Sequence, residues 1–138
     1  MYPLEFRSSI WIMALAAAAC AVSAAPEPTP VGKRWVASID GLTDPKQLPR
    51  LEFAADGRVS GYTGCNALSG KWRMEGGAVR LGALAVTKRG CLGPAGEAER
   101  RVLAAVNDKS RVSLENGRLI LQGAGGERIE FAEGPSNP

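Results

Sequence analysis

The sequence predicts a mainly β fold with one α-helix, arranged as a small antiparallel β-barrel or a strongly curved sheet that the helix closes. Two patterns lead to this prediction. Short segments alternate apolar and polar residues, as half-buried strands do, and turn signals separate them. One segment instead repeats its apolar residues every four positions, as an amphipathic helix does. Because the pattern does not fix whether the sheet closes, an open α+β two-layer sandwich is the alternative.

About eight strands are predicted, with the helix between the sixth and the seventh, and five strands before the helix are identified by their residues. Trp35, Ala37 and Ile39 alternate along the first strand, and Asp40-Gly41 then turns the chain. The next four strands form two pairs around turns at Asp56-Gly57 and Glu75-Gly76-Gly77. They contain Leu51 with Phe53, Arg58 to Tyr62, Lys71 to Met74, and Ala78 to Leu81.

The helix is predicted from Ala95 to Val106. Ala98, Val102 and Val106 recur at a spacing of four, and the opposite side is charged, with acids before bases as the helix dipole prefers. Three strands follow, separated by turns at Asn116-Gly117 and at the glycine-rich segment from Gly123 to Gly126. They contain Val112 with Leu114, Leu119 with Leu121, and Ile129 with Phe131.

The first 24 residues have the pattern of a secretory signal peptide. An uncharged apolar run of 13 residues, Ile10 to Val22, is too short to span a bilayer comfortably. Small residues in Val22-Ser23-Ala24 predict cleavage after Ala24. Two alternatives remain, an uncleaved anchor and a membrane-anchored lipoprotein lipidated at Cys20. We therefore expect an exported protein, periplasmic or secreted, that touches a membrane only if Cys20 is lipidated.

Composition changes divide the chain into four parts. The signal peptide is residues 1–24, and alternating prolines make residues 25–32 an extended tether. One domain is expected over residues 33–132, followed by a flexible tail at residues 133–138. A chain of this length has room for one domain, which we expect to be monomeric.

The composition excludes several classes of function. The chain has no histidine, which rules out Ser/His/Asp and Cys/His nucleophiles and histidine-ligated zinc. A net charge of +3 with 6% aromatic residues does not call for a nucleic-acid partner. We expect no cofactor, no metal and no enzymatic activity, and an unknown protein or small molecule as the partner.

Cys65 and Cys91 are the two cysteines of the mature domain. An exported domain is oxidised, so a disulfide between residues 26 positions apart is the expected state. A redox-active pair is the alternative, but the spacing is not Cys-x-x-Cys and no histidine is present.

Several motifs in a fixed order resemble the META domain, specifically the HslJ-like group of bacterial envelope proteins. The resemblance covers about Lys33 to Ala132. The residues that carry it are Trp35, Ile39-Asp40-Gly41, Phe53, Gly64-Cys65-Asn66, Gly70, Trp72, Thr87, Cys91, Glu99-x-x-Val102-Leu103, Leu119-x-Leu121 and Phe131.

That resemblance implies a small β-barrel-like fold with a helix and an association with stress responses in some relatives. It also places both cysteines in the two most distinctive motifs, and it implies no catalytic residue. The family motif in this chain is Gly64, Cys65, Asn66, Thr87 and Cys91.

Asn66 and Thr87 are expected to have structural roles, with ligand contact as the alternative. An asparagine beside a cystine in a glycine-rich turn suits left-handed backbone angles and hydrogen bonds to nearby main chain. Thr87 is expected to be a turn or strand-end hydroxyl.

The leading function is a non-catalytic exported envelope domain that binds a protein or small ligand, or supports envelope integrity under stress. The alternative is a hydrolase-type enzyme that uses Ser69 with Lys71, although no third orienting group accompanies them. Lys88-Arg89 and Arg100-Arg101 are expected to be solvated surface, with a patch for anionic lipid or polymer as the alternative.

Overall fold

The computed structural model describes residues 19–25 and 28–135 and contains eight strands and one helix. The strands are β1 (Arg34–Val36), β2 (Arg50–Phe53), β3 (Arg58–Tyr62), β4 (Ala67–Glu75), β5 (Ala78–Val86), β6 (Arg111–Glu115), β7 (Arg118–Gln122) and β8 (Arg128–Glu133). The helix α1 (Gly93–Ala105) lies between β5 and β6, one strand earlier than predicted, because five strands and not six precede it.

The eight strands form a closed antiparallel barrel in sequence order. Each strand pairs with the next, and β8 returns to β1, where Trp35 lies opposite Glu133 and Val36 opposite Ala132. Closure removes the exposed strand edges that an open sheet would present. The closed barrel is confirmed, and the open two-layer sandwich was the wrong alternative.

Alternating side chains from all eight strands fill the barrel. Trp35 is 1% exposed, and its indole N–H donates to the Pro30 carbonyl at 3.0 Å. Trp72 is only half-buried, packing edge-on against Phe53 with ring centroids 5.5 Å apart. Trp35 is therefore a core residue, whereas Trp72 lies at the margin of the core.

Helix α1 adds its apolar face to the same core. Val102, Ala105 and Val106 pack with the inward side chains of the barrel. The helix begins at Gly93, two residues before the predicted start, with a proline in its first turn. Proline fits there because a backbone N–H at that position would have no intrahelical acceptor. Gly123, in the turn after β7, lets the helix approach, since a Cβ there would lie 2.0 Å from the Ala104 carbonyl oxygen.

The first strand is shorter than predicted, and the β4–β5 hairpin is longer. Strand β1 ends at Val36, although Ala37 and Ile39 remain buried beyond it. Strands β4 and β5 pair from Leu68 opposite Val86 to the tip of the hairpin, with a register shift between Gly70 and Trp72. That bulge breaks the alternation of apolar residues, so the sequence pattern shows only half of the hairpin.

Residues at both ends of the predicted domain also belong to the barrel. Val31 forms a parallel bridge with Phe53, and Pro30 is buried, so the end of the expected tether is packed. At the other end, Glu133 is part of β8, and the Gly134 N–H donates to the Arg34 carbonyl at 2.7 Å. The predicted tail therefore begins inside β8.

Most of the predicted signal peptide, residues 1–18, lies outside the described residues, as do residues 26–27 and 136–138. Cys20 is described, exposed and not disulfide-bonded. In the described ranges, no helix is both long enough and apolar enough to cross a bilayer.

Candidate functional site

The motif residues meet where the β3–β4 connection, the end of β5 and the first turns of α1 come together. We call this group the motif cluster. It consists of Thr63, Asn66, Thr87, Arg89, Glu99 and the disulfide between Cys65 and Cys91.

The β3–β4 connection is a tight turn built around Thr63 and Gly64. The Thr63 hydroxyl accepts hydrogen bonds from the backbone N–H of Cys65 at 3.1 Å and of Asn66 at 2.8 Å. Gly64 has φ +100°, and a Cβ there would lie 2.9 Å from the side chain of Ala98 in α1. Glycine is therefore required both by the backbone angle and by the approach of the helix.

Asn66 is 4% exposed, and both the nitrogen and the oxygen of its side-chain amide form hydrogen bonds. Its Nδ2 donates to Glu99 Oε1 at 2.7 Å and to the Arg89 carbonyl at 2.9 Å. Its Oδ1 accepts from the Thr87 hydroxyl at 3.0 Å and from the Arg89 N–H at 2.8 Å. The side chain therefore joins three separate segments of the chain.

The left-handed backbone expected near Asn66 occurs at another residue. Among the described non-glycine residues, Asn116 alone has a positive φ. Gly64 takes the left-handed conformation in this turn instead. The expected hydrogen bonds from Asn66 to the nearby main chain are present, through the backbone of Arg89.

Thr87 directly follows β5 and closes the end of the β4–β5 ladder. Its backbone N–H donates to the Ala67 carbonyl at 3.0 Å, and its hydroxyl accepts from the Ala67 N–H at 3.1 Å. The hydroxyl then donates to Asn66. Thr87 is thus a strand-end hydroxyl that links the ladder to the motif cluster.

A disulfide connects Cys65 to Cys91, with the Cα atoms 6.0 Å apart. Cys65 is buried beside Asn66, and Cys91 lies two residues before α1. The bond therefore ties the β3–β4 connection to the segment that leads into the helix.

The sequence analysis gave no role in the cluster to Glu99, which belongs to the motifs of the resemblance, and did not single out Thr63. Glu99 lies on the predicted polar side of the helix, yet its carboxylate accepts from Asn66 Nδ2 and from the Thr63 hydroxyl, the latter at 3.2 Å. The sequence signal for Thr63 was a threonine directly before a glycine. A threonine hydroxyl at such a position can accept hydrogen bonds from the backbone N–H groups two and three residues later and so stabilise a turn.

A shallow cleft of about 370 Å³ lies beside the cluster. Its lining includes Asn66, Thr87 and Glu99, whose polar atoms are bound to one another. Across the described residues, every buried side-chain nitrogen and oxygen has a hydrogen-bond partner, and no group of three or more acidic or cysteine side chains is placed to hold a metal ion. The arrangement stabilises a turn and a helix start.

Ser69 and Lys71 are both exposed on β4, next to the bulge at Gly70. No hydrogen bond joins the two side chains in the described part of the chain.

The basic pairs Lys88-Arg89 and Arg100-Arg101 differ in how many of their side chains bind other groups of the domain. Arg89 donates to the Cys65 carbonyl at 3.1 Å, Arg100 is paired with Glu97, and Arg101 lies 3.4 Å from a carboxylate oxygen of Glu127. Three of the four cations are therefore bound within the domain.

The META domain model matches residues 30–136 of this chain. The chain belongs to the META domain family. The match starts at Pro30, in agreement with the packing of that residue against the barrel. No functionally curated protein is significantly similar to this META domain.

Two solved structures share the fold of this META domain. One is an NMR structure of a protein from Burkholderia xenovorans, with 23% identity and a TM-score of 0.57, covering 81% of this chain and 93% of that one. Another protein solved by NMR has 24% identity and a TM-score of 0.61, covering 77% and 95%. At these identities the likeness concerns the fold.

Proposed function

We propose that this META domain is a non-catalytic, exported domain of the bacterial cell envelope, similar to HslJ-like stress-associated proteins. It acts by binding a protein or small ligand, or by supporting envelope integrity under stress. The disulfide at the centre of the motif cluster carries the proposal, because structural disulfides persist in oxidising compartments. The signal-peptide pattern of the first 24 residues supports the same compartment.

The internal bonding of the motif cluster supports a non-catalytic role. A catalytic group needs an atom that is free to reach the substrate. The amide of Asn66 and the hydroxyl of Thr87 form hydrogen bonds to other groups of the protein. We therefore assign the cluster to the fold and place partner binding on the outer surface of the barrel.

Export is tested by fusing residues 1–32 to a reporter enzyme that is active only outside the cytoplasm. We expect activity from the fusion and none after deletion of residues 10–22, which carry the apolar run. A fusion that stays inactive, with the reporter intact in the cytoplasm, would contradict export.

Partner binding is tested on the full-length protein in stressed cells by photo-crosslinking from outward positions on the barrel. Discrete crosslinks that survive Asn66→Ala at low temperature would fit a structural motif cluster. Hydrolysis of an ester or amide substrate, abolished by Ser69→Ala and by Lys71→Gln, would instead establish the enzyme alternative.

A further inference from the structure

A second cleft, of about 380 Å³, lies between the start of β6 and the turn that joins β7 to β8. We call it the cationic cleft, and no acidic residue lines it. Its lining residues are Lys109, Arg111, Gln122, Gly123, Ala124 and Gly126.

Both cations of this cleft are exposed and available for a ligand. Within the described residues, neither Lys109 nor Arg111 forms an ion pair. Glu127 and Glu130, the acidic residues that follow the turn, are already bound by arginines. Asp108, the acidic residue next to Lys109 in the sequence, forms no ion pair with either cation within the described residues. A ligand would therefore meet two positive charges that are not ion-paired.

The end of helix α1 leaves Lys109 free while fixing its backbone. The Asn107 side chain caps this segment, donating to the Ala104 carbonyl at 3.2 Å and accepting the Lys109 N–H at 2.9 Å. The Ser110 hydroxyl donates to the Ala105 carbonyl. Because these side chains satisfy the last helix carbonyls, the Lys109 ammonium group is not drawn to them.

The glycine-rich turn supplies backbone donors on the other side of the cleft. Internal hydrogen bonds shape the turn, from the Gly123 N–H to the Glu127 carbonyl at 2.7 Å and from the Gly126 N–H to the Gly123 carbonyl at 3.1 Å. The N–H groups of Ala124, which lines the cleft, and of Gly125, the next residue of the turn, have no partner in the described part of the chain. Both residues are exposed. Free N–H groups in a glycine turn suit anion oxygens.

Further arginines lie beside the cleft on the outer face of the barrel. Arg73 on β4 lies directly opposite Arg80 on β5. Val79 pairs with Val112 in antiparallel strands, so Arg80 and Arg111, one position away on each strand, adjoin on the outer face. Because Arg73 is paired with Glu75 at 2.7 Å, Arg80 is the arginine that adds to the positive potential over the cleft and helps to attract anions.

We propose that the cationic cleft binds the phosphate group of a phosphate ester. Lys109 and Arg111 make charge-assisted hydrogen bonds to the phosphate oxygens, and the turn N–H groups complete the site. A soluble phosphate ester and an anionic phospholipid headgroup present the same group. This inference goes beyond the proposed function and stands independently of it.

The test measures binding to the oxidised exported protein with two probes. Glycerol phosphate is titrated by calorimetry at low ionic strength, and cosedimentation is measured with phosphatidylglycerol vesicles against phosphatidylcholine vesicles. We expect binding to weaken as salt is added, because the cleft is open to solvent.

The test variant is Lys109→Gln/Arg111→Gln, and its matched control is Lys46→Gln/Arg100→Gln, which removes the same charge elsewhere. A third variant, Gly125→Asp, places a carboxylate at the turn, where a side chain meets no atom within 4 Å. All these positions are exposed, so each variant should keep the thermal midpoint of the wild type. We expect the test variant and Gly125→Asp to weaken binding by about tenfold or more, and the control to leave it nearly unchanged.

Saturable binding of glycerol phosphate with this pattern supports the site and identifies a soluble ester as a sufficient ligand. Binding to phosphatidylglycerol vesicles alone, with the same pattern, supports the site with a lipid headgroup as its ligand. Binding to neither probe, or equal loss in the test and control variants, would overturn the proposal.

Discussion

Replacing Asn66 by alanine tests the structural role of the motif cluster. The change removes four hydrogen bonds of 2.7 to 3.0 Å, one of them to the carboxylate of Glu99. It also leaves the Arg89 N–H and the hydroxyl proton of Thr87 without an acceptor. At about 1 kcal/mol for each neutral bond and about 2 kcal/mol for the charged one, the loss is about 3 to 5 kcal/mol of unfolding free energy.

A second substitution, Asn66→Asp, separates the donor role from simple loss of volume. The new carboxylate oxygen would face Glu99 at the position where Nδ2 now lies, 2.7 Å away, and would face the Arg89 carbonyl as well. Like charges at that distance repel, so Asn66→Asp should destabilise at neutral pH at least as much as Asn66→Ala. Asn116→Asp, in an exposed turn, is the matched control and should change stability by less than about 0.5 kcal/mol.

The assay is urea unfolding of the disulfide-bonded protein, followed by tryptophan fluorescence and far-UV circular dichroism. A double-mutant cycle between Asn66→Ala and Glu99→Ala should give a coupling free energy above about 1 kcal/mol. If Asn66→Ala lowers stability by less than about 1 kcal/mol, the cluster is not what holds the turn to the helix.

Four further variants test other parts of the fold. Replacing Cys65 and Cys91 by serine should lower stability by up to roughly 3.5 kcal/mol according to loop entropy. Trp35→Ala should cost roughly 3 to 5 kcal/mol, because the ring is fully buried, while Trp72→Ala should cost about 2 kcal/mol. Gly123→Ala should cost about 2 kcal/mol or more, because its Cβ would collide with a backbone carbonyl of α1.

Each of these has a control within the chain. Cys20→Ser should leave stability unchanged, since Cys20 is exposed and unbonded. Gly125→Ala should be tolerated, because a Cβ there meets no atom within 4 Å, so equal losses for Gly123→Ala and Gly125→Ala would contradict the packing of the turn against the helix. Equal stability losses for Trp35→Ala and Trp72→Ala would contradict their different burial.

Local turn chemistry made the hairpins predictable from the sequence. Asn116 and Gly117 both have positive φ, the conformation for which Asn-Gly is favoured between antiparallel strands. Gly76 and Gly77 do the same at the tip of the β4–β5 hairpin. Both turns depend on residues adjacent in sequence, so no tertiary contact was needed to predict them.

Contacts between residues that are distant in the sequence could not be predicted from local residue patterns. Glu99 meets Asn66 across 33 positions, and on the helix its pattern was that of a solvated acid. Half of β4 could not be predicted because of the bulge next to Gly70. One extra residue inverts the alternation of apolar and polar residues by which a strand is recognised in a sequence. The packing of Pro30 likewise depends on its bond to Trp35, which a proline-rich composition does not indicate.

The most direct test of export and of the disulfide is the intact mass of the exported protein after denaturation and alkylation without reduction. We predict a chain that begins at Ala25 and carries no alkyl group, because Cys20 is removed with the signal peptide and Cys65 is bonded to Cys91. A chain that keeps its N-terminus and carries three alkyl groups would contradict both export and the disulfide at the centre of the motif cluster.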